Sequence, residues 1–158
     1  MSEEKTPAVK ALWQAFLDSL PEGAECPAEY SAWGFGNTPE MADELGALVV
    51  EGTKTATASL MFWYEEKNEP MPKVGDYSVI LDGRGEPMCI TRITRLDQVP
   101  YKDVGEEMAY LEGEGDRSLA YWRRVHRDFF TGELSAIGET FSEDMVILCE
   151  HFEVVFRA

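Results

Sequence analysis

The run from 145 to 156 constrains the fold more than any other stretch. Val146, Leu148, Phe152, Val154 and Phe156 fall on alternate positions, the period of a β-strand and not of a helix. A strand of this length needs neighbours to satisfy its backbone donors and acceptors, so the chain must build a sheet. Glu150 falls on the same apolar side. A carboxylate there must be paired, protonated or exposed, which makes it either a buried structural partner or a site residue.

The strands that join this one are readable upstream. Thr55 to Leu60 and Asp76 to Leu81 read as strands. Asp82-Gly83-Arg84-Gly85 is a hairpin signal, and Pro87 to Leu96 is the returning strand, with Cys89, Thr91, Ile93 and Arg95 on one face. Between them lie helices. Pro7 to Leu20 carries the stripe Leu12, Trp13, Phe16, Leu17, Leu20, and Thr38-Pro39-Glu40 opens a second helix with its buried side at Met41, Leu45, Leu48 and Val49. Asp103-Val104-Gly105-Glu106 has capping-box spacing and starts a short helix through Leu111. Asp116 is placed to cap the next, from Arg117 to about Phe130, with Leu119, Trp122, Val125, Phe129 and Phe130 as its stripe. Ser31 to Asn37, with Trp33 and Phe35 between glycines, fits neither period. Those two aromatics are either a stacking platform for a ring or a plug for the core. The expected class is α+β, with the strands curled into a small barrel and no regular βαβ alternation.

Composition narrows the partners. The 158 residues suit one domain with a hydrophobic core. A net charge of −16 opposes broad binding to polyanions, so no DNA partner is expected and RNA would need a local basic cleft, from Arg92, Arg95, Arg123 or Arg124. Cys26, Cys89 and Cys149 are odd in number and form no CxxC, which suggests neither a disulfide framework nor a zinc site. Met1-Ser2-Glu3-Glu4 lacks an apolar signal core and no run approaches a membrane span. The reading is a reduced, cytoplasmic protein without a membrane partner.

No phosphate-binding glycine loop, nucleophile elbow or zinc-protease motif is present. What remains is Lys54 beside Thr55 and Thr57, the acidic run Glu112-Gly113-Glu114-Gly115-Asp116, and His126 one turn from Trp122 and Phe130. In an extended segment Lys54 and Thr57 lie on opposite faces, but a turn there would let them meet. A threonine attacks only when a base takes its proton, and a lysine serves as that base only when its pKa is lowered. A carboxyl kept protonated in an apolar pocket can supply a leaving amine. Each group also has a plain reading: Lys54 a solvated lysine, the acidic run a solvated flexible loop, His126 a packed ring.

Taken together, Trp33-x-Phe35-Gly36, Gly52-x-Lys54-Thr55-Ala56-Thr57, Pro72-x-Val74-Gly75-Asp76, the acidic run and Trp122-x-x-x-His126 resemble the ASCH domain family. The resemblance covers about residues 30 to 156 and implies a PUA-like, mostly antiparallel β-barrel flanked by helices. The chain would then be one such domain over 1–158, with 1–29 as an N-terminal helical extension. The family core reads Gly-x-Lys-x-x-Glu-x-Arg; this chain keeps Gly52 and Lys54 but has Thr57 and Ser59 in the last two places. Thr57 resembles the small bacterial members that hydrolyse N4-acetylcytidine. That likeness implies Lys54, Thr57 and Glu112 as catalytic residues, with Glu114 as the substitute for Glu112. It also implies an amidohydrolase acting on a modified nucleoside or nucleotide without cofactor or metal. Trp33, Phe35, Thr55, Glu114, Asp116 and His126 would contact the substrate. The alternatives are an RNA- or nucleotide-binding module and a metal-dependent ribonuclease.

Overall fold

The computed structural model describes residues 3–158; Met1 and Ser2, part of the N-terminus read above, lie outside the described residues. Helices and strands follow in the order α1 (Pro7–Ser19), β1 (Ser31–Trp33), α2 (Pro39–Val50), β2 (Ala56–Leu60), α3 (Phe62–Glu65), β3 (Tyr77–Leu81), β4 (Pro87–Pro100), α4 (Glu106–Glu112), α5 (Leu119–Ser135) and β5 (Val146–Arg157). A 3-10 turn, Tyr101–Asp103, precedes α4. The strands run in the hydrogen-bonded order β1-β3-β4-β5-β2. This is the expected α+β class. The order is open, with β1 and β2 at its ends, and a closed barrel is not among the pairings of the described residues. Among the described residues no helix is long and apolar enough to cross a membrane.

The chain divides into two compact units. Of the described residues, the first comprises 3–52, 72–94 and 152–158. Here α1 begins at Thr6, whose hydroxyl accepts from the Val9 amide, and Pro7 fills the first helical position. Its stripe buries Val9, Trp13 and Phe16 against Ala32, Val79, Leu81 and Ile90. Thr38 caps α2 through the Met41 amide. A second cluster joins Phe35, Val49, Ile80, Cys89 and Phe152. The sequence missed β1. Three residues are too short to show a period, and the strand exists because it pairs in parallel with β3, Ala32 opposite Val79.

The second unit, residues 53–71 and 95–151, holds the third cluster. Ala56 and Leu60 of β2, Ile147 and Cys149 of β5, Met108 and Ala109 of α4, and Trp122, Phe130 and Leu134 of α5 pack with Tyr101 and Val104. Strands β2 and β5 are antiparallel, with Thr57 opposite Glu150 and Ala58 opposite Cys149. Strand β5 is therefore apolar on both faces: Ile147 and Cys149 fill this core, beside the alternate set seen in the sequence.

Several boundaries differ from expectation, among them the end of β4, which runs on from Leu96 to Pro100. The 103–106 capping box does not form, because Asp103 belongs to the 3-10 turn and Gly105 is the N-cap of α4 without a side-chain bond. Asp116 does not cap α5. Ser118 does, accepting from the Tyr121 amide, while Asp116 accepts from the Ser118 amide one step earlier. Helix α5 also runs on to Ser135.

Candidate functional site

The segment that carries Lys54 and the end of α4 that carries Glu112 are held together by one backbone junction. The Thr55 amide donates to the Leu111 carbonyl at 2.8 Å. Arg117 donates through Nη2 to the Thr53 carbonyl at 3.3 Å and through Nε to the Tyr110 carbonyl at 2.9 Å. Gly113 makes the approach possible. It ends α4 with φ +70, and a Cβ there would stand 2.6 Å from the Thr53 oxygen and 3.0 Å from the Lys54 Cα. The acidic run is thus a tight crossing that glycine alone fits, not a flexible loop.

Gly113→Ala is accordingly expected to lower the unfolding free energy by about 2 kcal/mol or more, from left-handed strain together with overpacking. Gly132→Ala, in α5 with open space at its Cβ, is expected to be neutral or to gain up to about 1 kcal/mol. Chemical denaturation of both variants checks this pair.

The junction lays Lys54 on the end of α4. Lys54 is 1% exposed. Its Nζ reaches Glu112 Oε1 at 3.1 Å, Glu114 Oε2 at 3.0 Å, the Ala56 carbonyl at 3.0 Å and the Glu112 carbonyl at 3.3 Å. An ammonium has three protons, so these four acceptors use all of them. Glu112 is as buried as Lys54, whereas the Glu114 side chain keeps 13% exposure. The other Glu112 oxygen accepts from the Trp122 indole N–H and lies 3.2 Å from His126 Nε2. No buried side-chain nitrogen or oxygen among the described residues lacks a partner.

Electrostatics separates the two carboxyls. Burial pushes Glu112 up, but the charge of Lys54 and then of His126, with the bonds from His126 and Trp122, outweighs it and holds the group well below the carboxylate range. Burial also pushes Glu114 up, and Lys54 does not fully offset that push because Glu112 opposes it; Glu114 therefore sits above its ordinary value. For Lys54 burial acts downward, yet Glu112 and Glu114 reverse it and the ammonium is held above its ordinary value. So placed between two carboxylates, Lys54 is favoured as the ammonium.

The other expected residues are placed differently. Thr57 lies on β2 between Ala56 and Ala58, which face the core, so strand alternation turns it to the Glu150 side. Thr55 bonds the Leu111 carbonyl through its amide, with its hydroxyl 3.5 Å from the same oxygen. Asp116 is exposed and turns to Ser118. In the first unit Phe35 is a core residue, and the half-buried Trp33 meets it edge-on at 4.6 Å. Trp122, read from the sequence as part of the helix stripe and of the Trp122-x-x-x-His126 motif but not as a site residue, is a partner of Glu112. Its spacing of four from His126 places both on one helix face and was the available signal.

Glu112, Glu114 and His126 have donor atoms within 4.8 Å of one another. They do not fit a divalent ion. The Lys54 ammonium already stands between the two carboxylates, and the His126 ring nitrogens face a carbonyl and a carboxylate. A metal would have to displace the Lys54 ammonium and free a His126 ring nitrogen from its present partner.

Comparison with known proteins gives a consistent result. A family model described as the ASCH domain matches residues 31–156. The crystal structure of an ASCH domain from Lactobacillus crispatus JV V101 is 36% identical, with a TM-score of 0.87, and the match covers 94% of each chain. The protein EF3133 from Enterococcus faecalis V583 is 39% identical, with a TM-score of 0.83, over 95% of this chain and 89% of its own. A comparison with curated proteins finds no match.

Proposed function

This chain belongs to the ASCH domain family, and from that premise we propose that it hydrolyses an amide on an acylated nucleoside of the N4-acetylcytidine kind. One observation carries the reading: a single buried lysine bonds two carboxyls of unequal exposure, and burial and charge drive their proton affinities in opposite directions. That division is the mark of a site with separate anchoring and proton-transferring roles.

Glu114 is the proton carrier in this reading, because it is the more exposed of the two and the one held above its ordinary value. As carboxylate it takes a proton from water, the hydroxyl bonds to the acyl carbon, and the proton passes to the nucleobase nitrogen as the C–N bond breaks. The products are a carboxylic acid and the free amine. Glu112 stays ionised and anchors Lys54. The ammonium fixes the carboxylates and supplies positive charge beside the developing oxyanion. Water replaces Thr57 as the attacking group, since Lys54 is held protonated. The reading takes a nucleoside rather than RNA as partner. Arg92 and Arg95 are paired with Glu153 and Asp97, Arg123 is bonded to the carbonyls of Tyr101, Lys102 and Val104, and Arg124 lies over the Tyr121 ring. It places the protein in a reducing cytoplasm, in keeping with three free cysteines.

The test is a parallel assay of acylated cytidines and a labelled RNA. Expected are hydrolysis of the acyl amide, no RNA cleavage, and weak RNA binding at physiological salt. Thr57→Val is expected to retain turnover close to that of the unmodified protein. A loss of about a hundredfold in that variant would make Thr57 the nucleophile, and RNA cleavage without amide hydrolysis would overturn the reading.

A further inference from the structure

His126 is 8% exposed and stacks on the indole of Trp122, with ring centroids 4.2 Å apart at 17°. Its Nδ1 lies 2.9 Å from the Trp122 carbonyl oxygen. A carbonyl only accepts, so Nδ1 carries a proton. Its Nε2 lies 3.2 Å from Glu112 Oε2. Glu112 meanwhile receives the Lys54 ammonium on one oxygen and the Trp122 N–H on the other. A carboxyl surrounded in this way by donors is ionised and can only accept, so Nε2 carries a proton too.

We propose that His126 is a buried imidazolium, protonated on both ring nitrogens, and a positioning residue that holds Glu112 as a carboxylate and leaves the exchangeable proton of the cluster to Glu114. The alternative arrangement moves one proton from His126 to Glu112. It keeps the net charge but sets a neutral acid against the Lys54 ammonium, which is the weaker pairing.

The surroundings agree from every packed element. Glu112 comes from the end of α4, Glu114 from the crossing after it and Lys54 from the segment before β2. Cys149 of β5 is a neutral thiol, pushed up to about 12 by burial first and by Glu112 second. Phe130, on the same helix, adds an apolar ring. Burial acts to lower His126, but Glu112 and Glu114 together raise it above its ordinary value. Two cations thus face two carboxyls, and the more exposed of these is the one free to change state.

The decisive experiment is long-range proton–nitrogen NMR on the full chain labelled with nitrogen-15. The sequence has two histidines, and the signals lost in His126→Gln identify His126. Both of its nitrogens are expected to show the protonated signature at neutral pH. An unprotonated Nε2 would overturn the proposal. The positioning role is read from carbon-13 carboxyl titration. Removing a nearby cation in His126→Gln is expected to move the Glu114 transition to higher pH, and an unchanged transition would overturn that role. If the variant does not fold, the Glu112 carboxyl carbon of the unmodified chain decides between the two arrangements: a carboxylate shift supports the imidazolium and an acid shift overturns it. All of these readouts are taken on the resting protein, so a failure of amide hydrolysis would leave the inference standing.

Discussion

Lys54→Met is expected to destabilise the fold by about 3–5 kcal/mol, the usual cost of stripping one partner from a buried ion pair. Methionine nearly keeps the stem volume, so the loss measures the charge and not the packing. Glu112 would keep His126 and Trp122, but Glu114 would lose the one cation bonded to it. Lys102→Met removes an exposed pairing with Asp144 and is expected to leave the unfolding transition in place.

The loss in Lys54→Met has a pH signature. The folded state depresses Glu112, so its contribution is complete above the unfolded carboxyl value of about 4.3 and is lost as pH falls toward the folded one. The difference between the two proteins should therefore be full near neutrality and shrink in acid. His126 acts in the opposite sense. Its folded pKa is raised, so its contribution is complete below the unfolded value of about 6.5 and fades as pH rises through the folded one. Denaturation midpoints across pH check both limbs.

How much of this was legible depended on the kind of signal. The helices α1 and α2 were plain because proline, a threonine cap and a helical stripe agreed with one another. Strand β1 was hidden because its only support is a distant partner. Within the site, the motifs picked out Lys54, Glu112, Glu114 and His126 across distant parts of the chain. They could not give burial. Most lysines are exposed, and nothing local to Lys54 says that the end of α4 will cover it. For the same reason the sequence could name a lysine base but not give its charge partners, since the two carboxylates bonded to Lys54 arrive from about sixty residues away. Gly113 was readable as a turn, but its need to clear the Thr53 carbonyl is a tertiary fact. Phe35 misled because aromatics between glycines look available in sequence, whereas here the ring fills a core.

The division of labour between the two glutamates is the centre of the account, and Glu114→Gln tests it most directly. Glutamine keeps the shape and an acceptor for Lys54 but cannot carry a proton, and the side chain lies at the more exposed edge of the cluster. Turnover of acylated cytidine should fall by about a hundredfold to ten-thousandfold, while the unfolding transition stays near that of the unmodified protein because Glu112 still anchors Lys54. Undiminished turnover in a folded Glu114→Gln protein would contradict the account.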